Sequence, residues 1–173
     1  MTLEVATAAQ LIALDVEGRG AIRRAARESE LLRRVFRAFV DSTHPVLVED
    51  IAPSFPDLAP EKVFDDLARL DKDDLIRIRD GRVDLAYPFS AAPTPFVVDL
   101  GRGSGHRYVC CAIDALGLAP MLGEPVRVRS RCHHCAMPLE ISVTPSGPGL
   151  GAAGLMVWVG QHAEDERRAC DSL

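Results

Sequence analysis

No run in this 173-residue chain approaches the ~20 consecutive apolar residues of a membrane-spanning helix, so no transmembrane segment is expected. The mildly apolar stretch over 5–14 follows Glu4, where a basic n-region would stand, and is interrupted by Gln10; we expect no secretory signal. Internal repeats and low-complexity tracts are missing, which excludes a solenoid. Lysine is almost missing too. Eighteen of the twenty basic residues are Arg, a bias that reflects codon usage more than function. The net charge of -5 gives no global electrostatic reason for a nucleic acid or an acidic membrane as partner. The five cysteines are too few and odd in number for a disulfide framework, and they point to reduced thiols in the cytoplasm. Such thiols are available as metal ligands or nucleophiles.

What is present is an ordinary globular composition, 47% hydrophobic and 26% charged. The length fits one medium domain or two small ones, able to bury about 70% of the unfolded surface. Residues 1–27 hold a short apolar stretch and a Gly18-Arg19-Gly20 break, and we expect an N-terminal helical extension. Leu31, Leu32, Val35, Phe36, Phe39 and Val40 recur at helical spacing and predict a helix over 28–40. A short second helix over 46–51 follows. Pro60 suits the first position of a third helix over 60–70, with Val63, Phe64, Leu67 and Leu70 as its buried stripe. Residues 75–78 and 83–86 flank Asp80-Gly81, a hairpin signal. Three helices and a two-stranded wing are a winged-helix layout over 28–87, with 88–95 as a linker.

The part over 96–173 differs. Residues 95–100 read as a strand, 101–105 as a turn with Ser104 near a helix start, and 106–118 as a helix stopped by Pro120. Alternation over 126–129 and 139–143 predicts paired strands around Cys132-His133-His134-Cys135. A short strand over 155–159 and a polar helix over 162–169 complete the chain. The expected fold class is α+β: a winged-helix-like front, then a small mixed sheet carrying the Cys-containing helix.

The segment His106-Arg107-Tyr108-Val109-Cys110-Cys111-Ala112-Ile113-Asp114-Ala115-Leu116 is the most informative in the chain. On a helix, residues three apart lie on one side, about 5–6 Å apart at Cβ, so Cys111 and Asp114 would put a soft-metal ligand beside a proton carrier. Cys110 points about 100° away and reads as a core residue. Two plainer roles for Asp114 are a helix cap and an ion pair with Arg107.

Tyr108 to Leu116, followed by Pro120-Met121-Leu122-Gly123, resembles the organomercurial (alkylmercury) lyase signature, an aromatic residue and then Cys-Ala-aliphatic-Asp. Residues 126–145, with Cys132 and the Thr144-Pro145 exit, are similar to that family's next block. The resemblance implies protonolysis of a carbon–mercury bond by two cysteines and an aspartate, all three touching the metal. It assigns Cys111 as first nucleophile and ligand, Asp114 as proton shuttle, and Cys170 as second ligand and proton source. Family members continue past the cysteine matched by Cys170 with a further strand and helix, which marks this chain as a divergent or C-terminally short member. No resident cofactor is implied. Low-molecular-weight thiols would be co-reactants, Hg(II) the thiol-bound product, and a mercuric reductase its downstream acceptor.

Elementary chemistry is consistent with that assignment. Thiolates are the preferred ligands of soft metals, and cleavage of a metal–carbon bond needs a proton at the leaving carbon. An isolated thiol is only about 3% thiolate at pH 7, and passing its proton to an ordinary Asp is uphill by roughly 6 kcal/mol. Metal bound to sulfur and burial of the carboxyl both narrow that gap.

Other features carry less. Cys132 and Cys135 have Cys-x-x-Cys spacing, but zinc in a structural site needs four ligands and no second such pair exists, so an incidental hairpin tip is favoured over a zinc knuckle or a soft-metal relay to Cys111. Met121, Met137 and Met156 read as core. The helix over 60–71 carries Glu61, Asp65, Asp66 and Asp71 against Lys62 and Arg69, a face that repels phosphates. Lyase chemistry on a small organometallic substrate is the leading expectation. A non-catalytic soft-metal sensor or carrier comes second, and a winged-helix regulator third.

Overall fold

The computed structural model describes residues 30–42, 44–101 and 105–158. The expected extension over 1–27, Ser104, the helix over 162–169 and Cys170 lie outside the described residues.

Helix α1 (Glu30–Asp41) buries Leu32, Val35 and Phe39 along one stripe, as the 3.6-residue period requires, and exposes Arg33, Arg34 and Arg37 on the other face. Val46 and Leu47, expected in a helix, instead form strand β1 (Val46–Leu47), and helix α2 (Val48–Ile51) holds only the remainder. The reason is tertiary: Val46 and Leu47 pair with Val83 and Arg82. Helix α3 (Pro60–Lys72) opens with Pro60 at its first position and runs two residues beyond the expected end. It buries Val63, Leu67 and Leu70, but Phe64, expected in that stripe, faces outward.

Strands β2 (Ile76–Arg79) and β3 (Arg82–Ala86) form the expected hairpin, with Asp80 and Gly81 both at positive φ. The register shifts between Arg77 and Ile78, where the Ile78 amide donates to the Asp71 carboxylate (2.9 Å). The segment over 88–95 is not a linker. Strand β4 (Phe89–Ser90) lies within it, buried, and pairs with β3 on one side and with β6 (His106–Val109) on the other.

Strands β5 (Phe96–Asp99), β7 (Val126–Arg131), β8 (Pro138–Thr144) and β9 (Gly147–Pro148) extend the ladder in the order β1-β3-β4-β6-β5-β7-β8-β9, with β2 beside β3. The pairings among the described strands are antiparallel, so a small mixed sheet gives way to one nine-stranded antiparallel sheet. Helix α4 (Ala112–Leu122) packs on β5, β7, β8 and β9 through Ala115, Leu118 and Ala119. Residues 155–158, expected in a strand, have no regular structure, and Trp158 is 74% exposed. Met121, Met137 and Met156 are exposed rather than in the core. Among the described residues no helix is long and apolar enough to cross a membrane.

Candidate functional site

The expected helix over 106–118 divides in two. His106–Val109 is strand β6, because its Tyr and Val suit a pleated surface and its backbone finds partners on both edges, β4 and β5. Arg107 and Val109 turn inward and His106 outward, a period of two that replaces the helical one. The chain bends at Cys110 and Cys111, and α4 starts at Ala112 and continues through Pro120 to a left-handed Gly123.

Cys111 is therefore the N-cap of α4. Its backbone is extended (φ -148°, ψ 179°), and its sulfur accepts a hydrogen bond from the Asp114 amide at 3.5 Å. That is the geometry of a Ser or Thr cap, with sulfur in place of oxygen and an acid at the third helical position. The amides of Asp114 and Ile113 favour the thiolate, whereas the Asp114 side chain favours the thiol. Burial, and then the nearby Asp114 charge, push the Cys111 thiol from 9.0 up to about 11, against the opposing pull of the two amides. The sequence suggests that the helix dipole favours thiolate here; burial and the carboxylate outweigh it. In the free protein at neutral pH the sulfur holds its proton, with a carboxylate beside it.

The bend is fixed from behind. The Cys110 amide donates to the Pro88 carbonyl (2.9 Å), and its buried thiol donates to the Phe89 carbonyl (3.6 Å). Cys110 is thus a packed structural thiol, as its place in the sequence predicts. The Thr94 hydroxyl hydrogen-bonds the Val109 carbonyl (2.7 Å), tying the end of β6 to the chain before β5. Thr94 is a positioning residue that sequence reading passed over, because it fell in the supposed linker. The capping-box spacing from Cys111 to Asp114 was the available signal for the helix start.

Arg107 is engaged by the backbone of α1 and of its own strand. Only 3% exposed, its guanidinium donates to the Phe39, Val40 and His106 carbonyls, at 2.9, 2.6 and 3.0 Å for the shortest contact to each. The first two are carbonyls at the C-terminal end of α1, where a cation suits the helix dipole. Arg107 thereby ties α1 to the strand that leads into the cysteine bend.

The second thiol pair lies at the β7–β8 hairpin tip. Cys132 and Cys135 are free, and among the described residues no group of three or more His, Cys, Asp or Glu is placed to hold a metal ion. On α3, Lys62 and Arg69 are both paired with Asp66, so the basic residues of that face are engaged on the helix itself.

Residues 89–173 match the family model described as alkylmercury lyase. A search among curated proteins finds no match. Among solved structures, the crystal structure of the mercury-bound form of MerB2 is similar, with 20% sequence identity and a TM-score of 0.60 over 79% of this chain. The match covers 66% of that protein, so the present chain spans just under two thirds of its length. At this identity the likeness establishes a shared fold.

Proposed function

Because residues 89–173 match the alkylmercury lyase family model, we propose that the protein cleaves carbon–mercury bonds by protonolysis, with Cys111 and Asp114 at the centre of the reaction. The observation that carries this reading is Cys111 as the cap of α4, its sulfur accepting from the Asp114 amide at 3.5 Å, with the Asp114 charge near enough to act on the thiol.

An organomercurial arrives as its adduct with a small thiol. Cys111 sulfur bonds to mercury, and its proton leaves with the displaced thiol, so that R–Hg–S–Cys111 and the free small thiol result. A second sulfur, which we assign to Cys170, then bonds to mercury and gives its proton to Asp114. Two thiolates on mercury raise electron density on the bound carbon, and Asp114 delivers the proton there. The hydrocarbon R–H departs, and Hg(II) remains on two sulfurs until two small thiols take it away. Asp114 is also within the reach of the metal that its proximity to Cys111 affords. A thiol held protonated until a soft cation displaces its proton avoids idle reactivity with other electrophiles, which the raised Cys111 pKa supports.

The remaining assignments are of one piece with this reading. We place a winged-helix-like unit over 28–87 and the lyase unit over 96–173, joined through β4 in one sheet rather than by a linker, in the cytoplasm, with a mercuric reductase as downstream acceptor of Hg(II). The deciding experiment incubates the protein with a simple organomercurial and excess small thiol and follows the hydrocarbon product. Hydrocarbon release that disappears in Cys111→Ser and Asp114→Ala supports the lyase. Tight mercury retention without hydrocarbon, unaffected by Asp114→Ala, would instead establish a carrier.

A further inference from the structure

Helix α4 is apolar on every side: Asp114 is the one polar residue among its 11. A helix of that composition is normally covered all round, yet this one buries a single stripe. Ala115, Leu118 and Ala119 meet the sheet. At about 100° per residue, the opposite side carries Ile113, Gly117, Pro120 and Met121. All four are exposed, Ile113 by 57% and Met121 by 46%. A β-carbon built on Gly117 meets no atom within 4 Å outside its own helix, so open space lies over the helix between Ile113 and Met121.

This apolar strip begins where the candidate chemistry sits. Ile113 is the residue between the Cys111 cap and Asp114 on the first turn of α4, the turn whose amide donates to the Cys111 sulfur. Gly117 lies one turn further on, about 5–6 Å from Ile113. A group carried by mercury on that sulfur therefore has a carboxylate on one flank and the apolar strip on the other. Apolar surface beside a reacting atom gains from an apolar partner that displaces its water.

Resting on the carbon–mercury cleavage proposed above, we propose that Ile113 and Gly117 select the organic group, Ile113 as apolar wall and Gly117 as open floor of a seat for a neutral ring. A methyl group is too short to reach Gly117. A ring bearing a carboxylate is disfavoured, because the strip offers it no cation and Asp114 repels it.

The test compares methyl-, phenyl- and 4-carboxyphenylmercury in excess glutathione, with kcat/KM taken from hydrocarbon release. The unaltered protein should favour phenyl over each of the others by about tenfold. Gly117→Leu, which fills the floor, should lose about tenfold on phenyl and leave methyl within about twofold. Ile113→Ala should reduce the preference for phenyl in the same sense. Damage to the fold would instead lower methyl and phenyl together.

A second arm needs no turnover. Asp114→Asn in a Cys132→Ser/Cys135→Ser background exchanges R–Hg–S-glutathione for R–Hg–S–Cys111 and free glutathione. Intact mass counts the adduct, and the share lost on Cys111→Ser belongs to Cys111. The exchange constants should favour phenyl over methyl, and adding Gly117→Leu should remove that preference. Hydrocarbon from no substrate sinks the lyase and leaves this arm to decide the seat. A phenyl-to-methyl ratio that neither Gly117→Leu nor Ile113→Ala changes, in release or in exchange, would overturn the proposal.

Discussion

The sulfur of Cys111 and the amide of Asp114 lie 3.5 Å apart, and this one contact both starts helix α4 and sets a carboxyl group beside a thiol. A cap residue must leave helical geometry while its side chain turns back over the first turn. That requirement aims the Cys111 thiol at the third helical residue, which here is an acid. Cap geometry and thiol–acid proximity are the same structural fact.

Replacing Asp114 with Asn removes the charge that helps to hold the Cys111 pKa up and leaves the larger effect, burial, in place. The Cys111 pKa should fall, and its alkylation at neutral pH should accelerate by up to about tenfold, one pKa unit. Iodoacetamide kinetics with mass-spectrometric assignment of the site measure this; an unchanged rate would mean that the carboxylate does not act on the thiol.

The same thiol links stability to alkaline pH. Its folded pKa, about 11, is raised above the ordinary 9.0, so the folded state holds the proton more tightly than the unfolded chain. The resulting contribution is complete below pH 9 and is lost as pH rises from 9 to 11. Urea melts across this window should show stability declining with pH, and Cys111→Ser should flatten part of that decline.

Neighbouring cysteines should behave differently. Cys110→Ala removes a buried thiol that donates to the Phe89 carbonyl and should cost about 1 kcal/mol of stability while hydrocarbon release continues. Cys111→Ser should abolish release with little change in thermal midpoint. Parallel melts and product assays separate the two positions, and equal loss of activity in both would contradict the assignment of Cys111.

Arg107→Met leaves the carbonyls of Phe39, Val40 and His106 without the guanidinium that they share and should destabilise the protein by about 3 kcal/mol. Phe89→Ala removes a fully buried ring stacked on Phe39 at 6.5 Å between centroids and should cost about 3–5 kcal/mol. Both changes strike the join between α1 and the strands behind the cysteine bend. Chemical denaturation measures each, and a loss below about 1 kcal/mol would show that this join contributes little.

Local signals were legible wherever a segment's own pattern decides its conformation. Helices α1 and α3 followed from apolar residues at helical spacing, the β2–β3 hairpin from Asp80-Gly81, and β7 and β8 from clean alternation around the Cys-x-x-Cys turn. Val46-Leu47, Phe89-Ser90 and His106–Val109 were misread or missed. Each is a short strand whose hydrogen bonds go to residues distant in the chain, and two to four residues are too few to display a period. Phe64 fell on the helical stripe by spacing, but no partner element covers that side of α3 among the described residues, and it stays exposed.

The sequence by itself determined which residues could carry the chemistry: a thiol and an acid three positions apart hold that spacing as cap and first turn just as they would within a helix. Only the tertiary structure decided how that chemistry is tuned. Partial burial and the nearby Asp114 charge keep the Cys111 thiol protonated, whereas the amides of Cys135 and His134 at an exposed turn draw the Cys132 pKa down. Two residues of the same type are driven in opposite directions because desolvation and hydrogen-bond donors depend on what the fold places around a sulfur, and no local pattern encodes that.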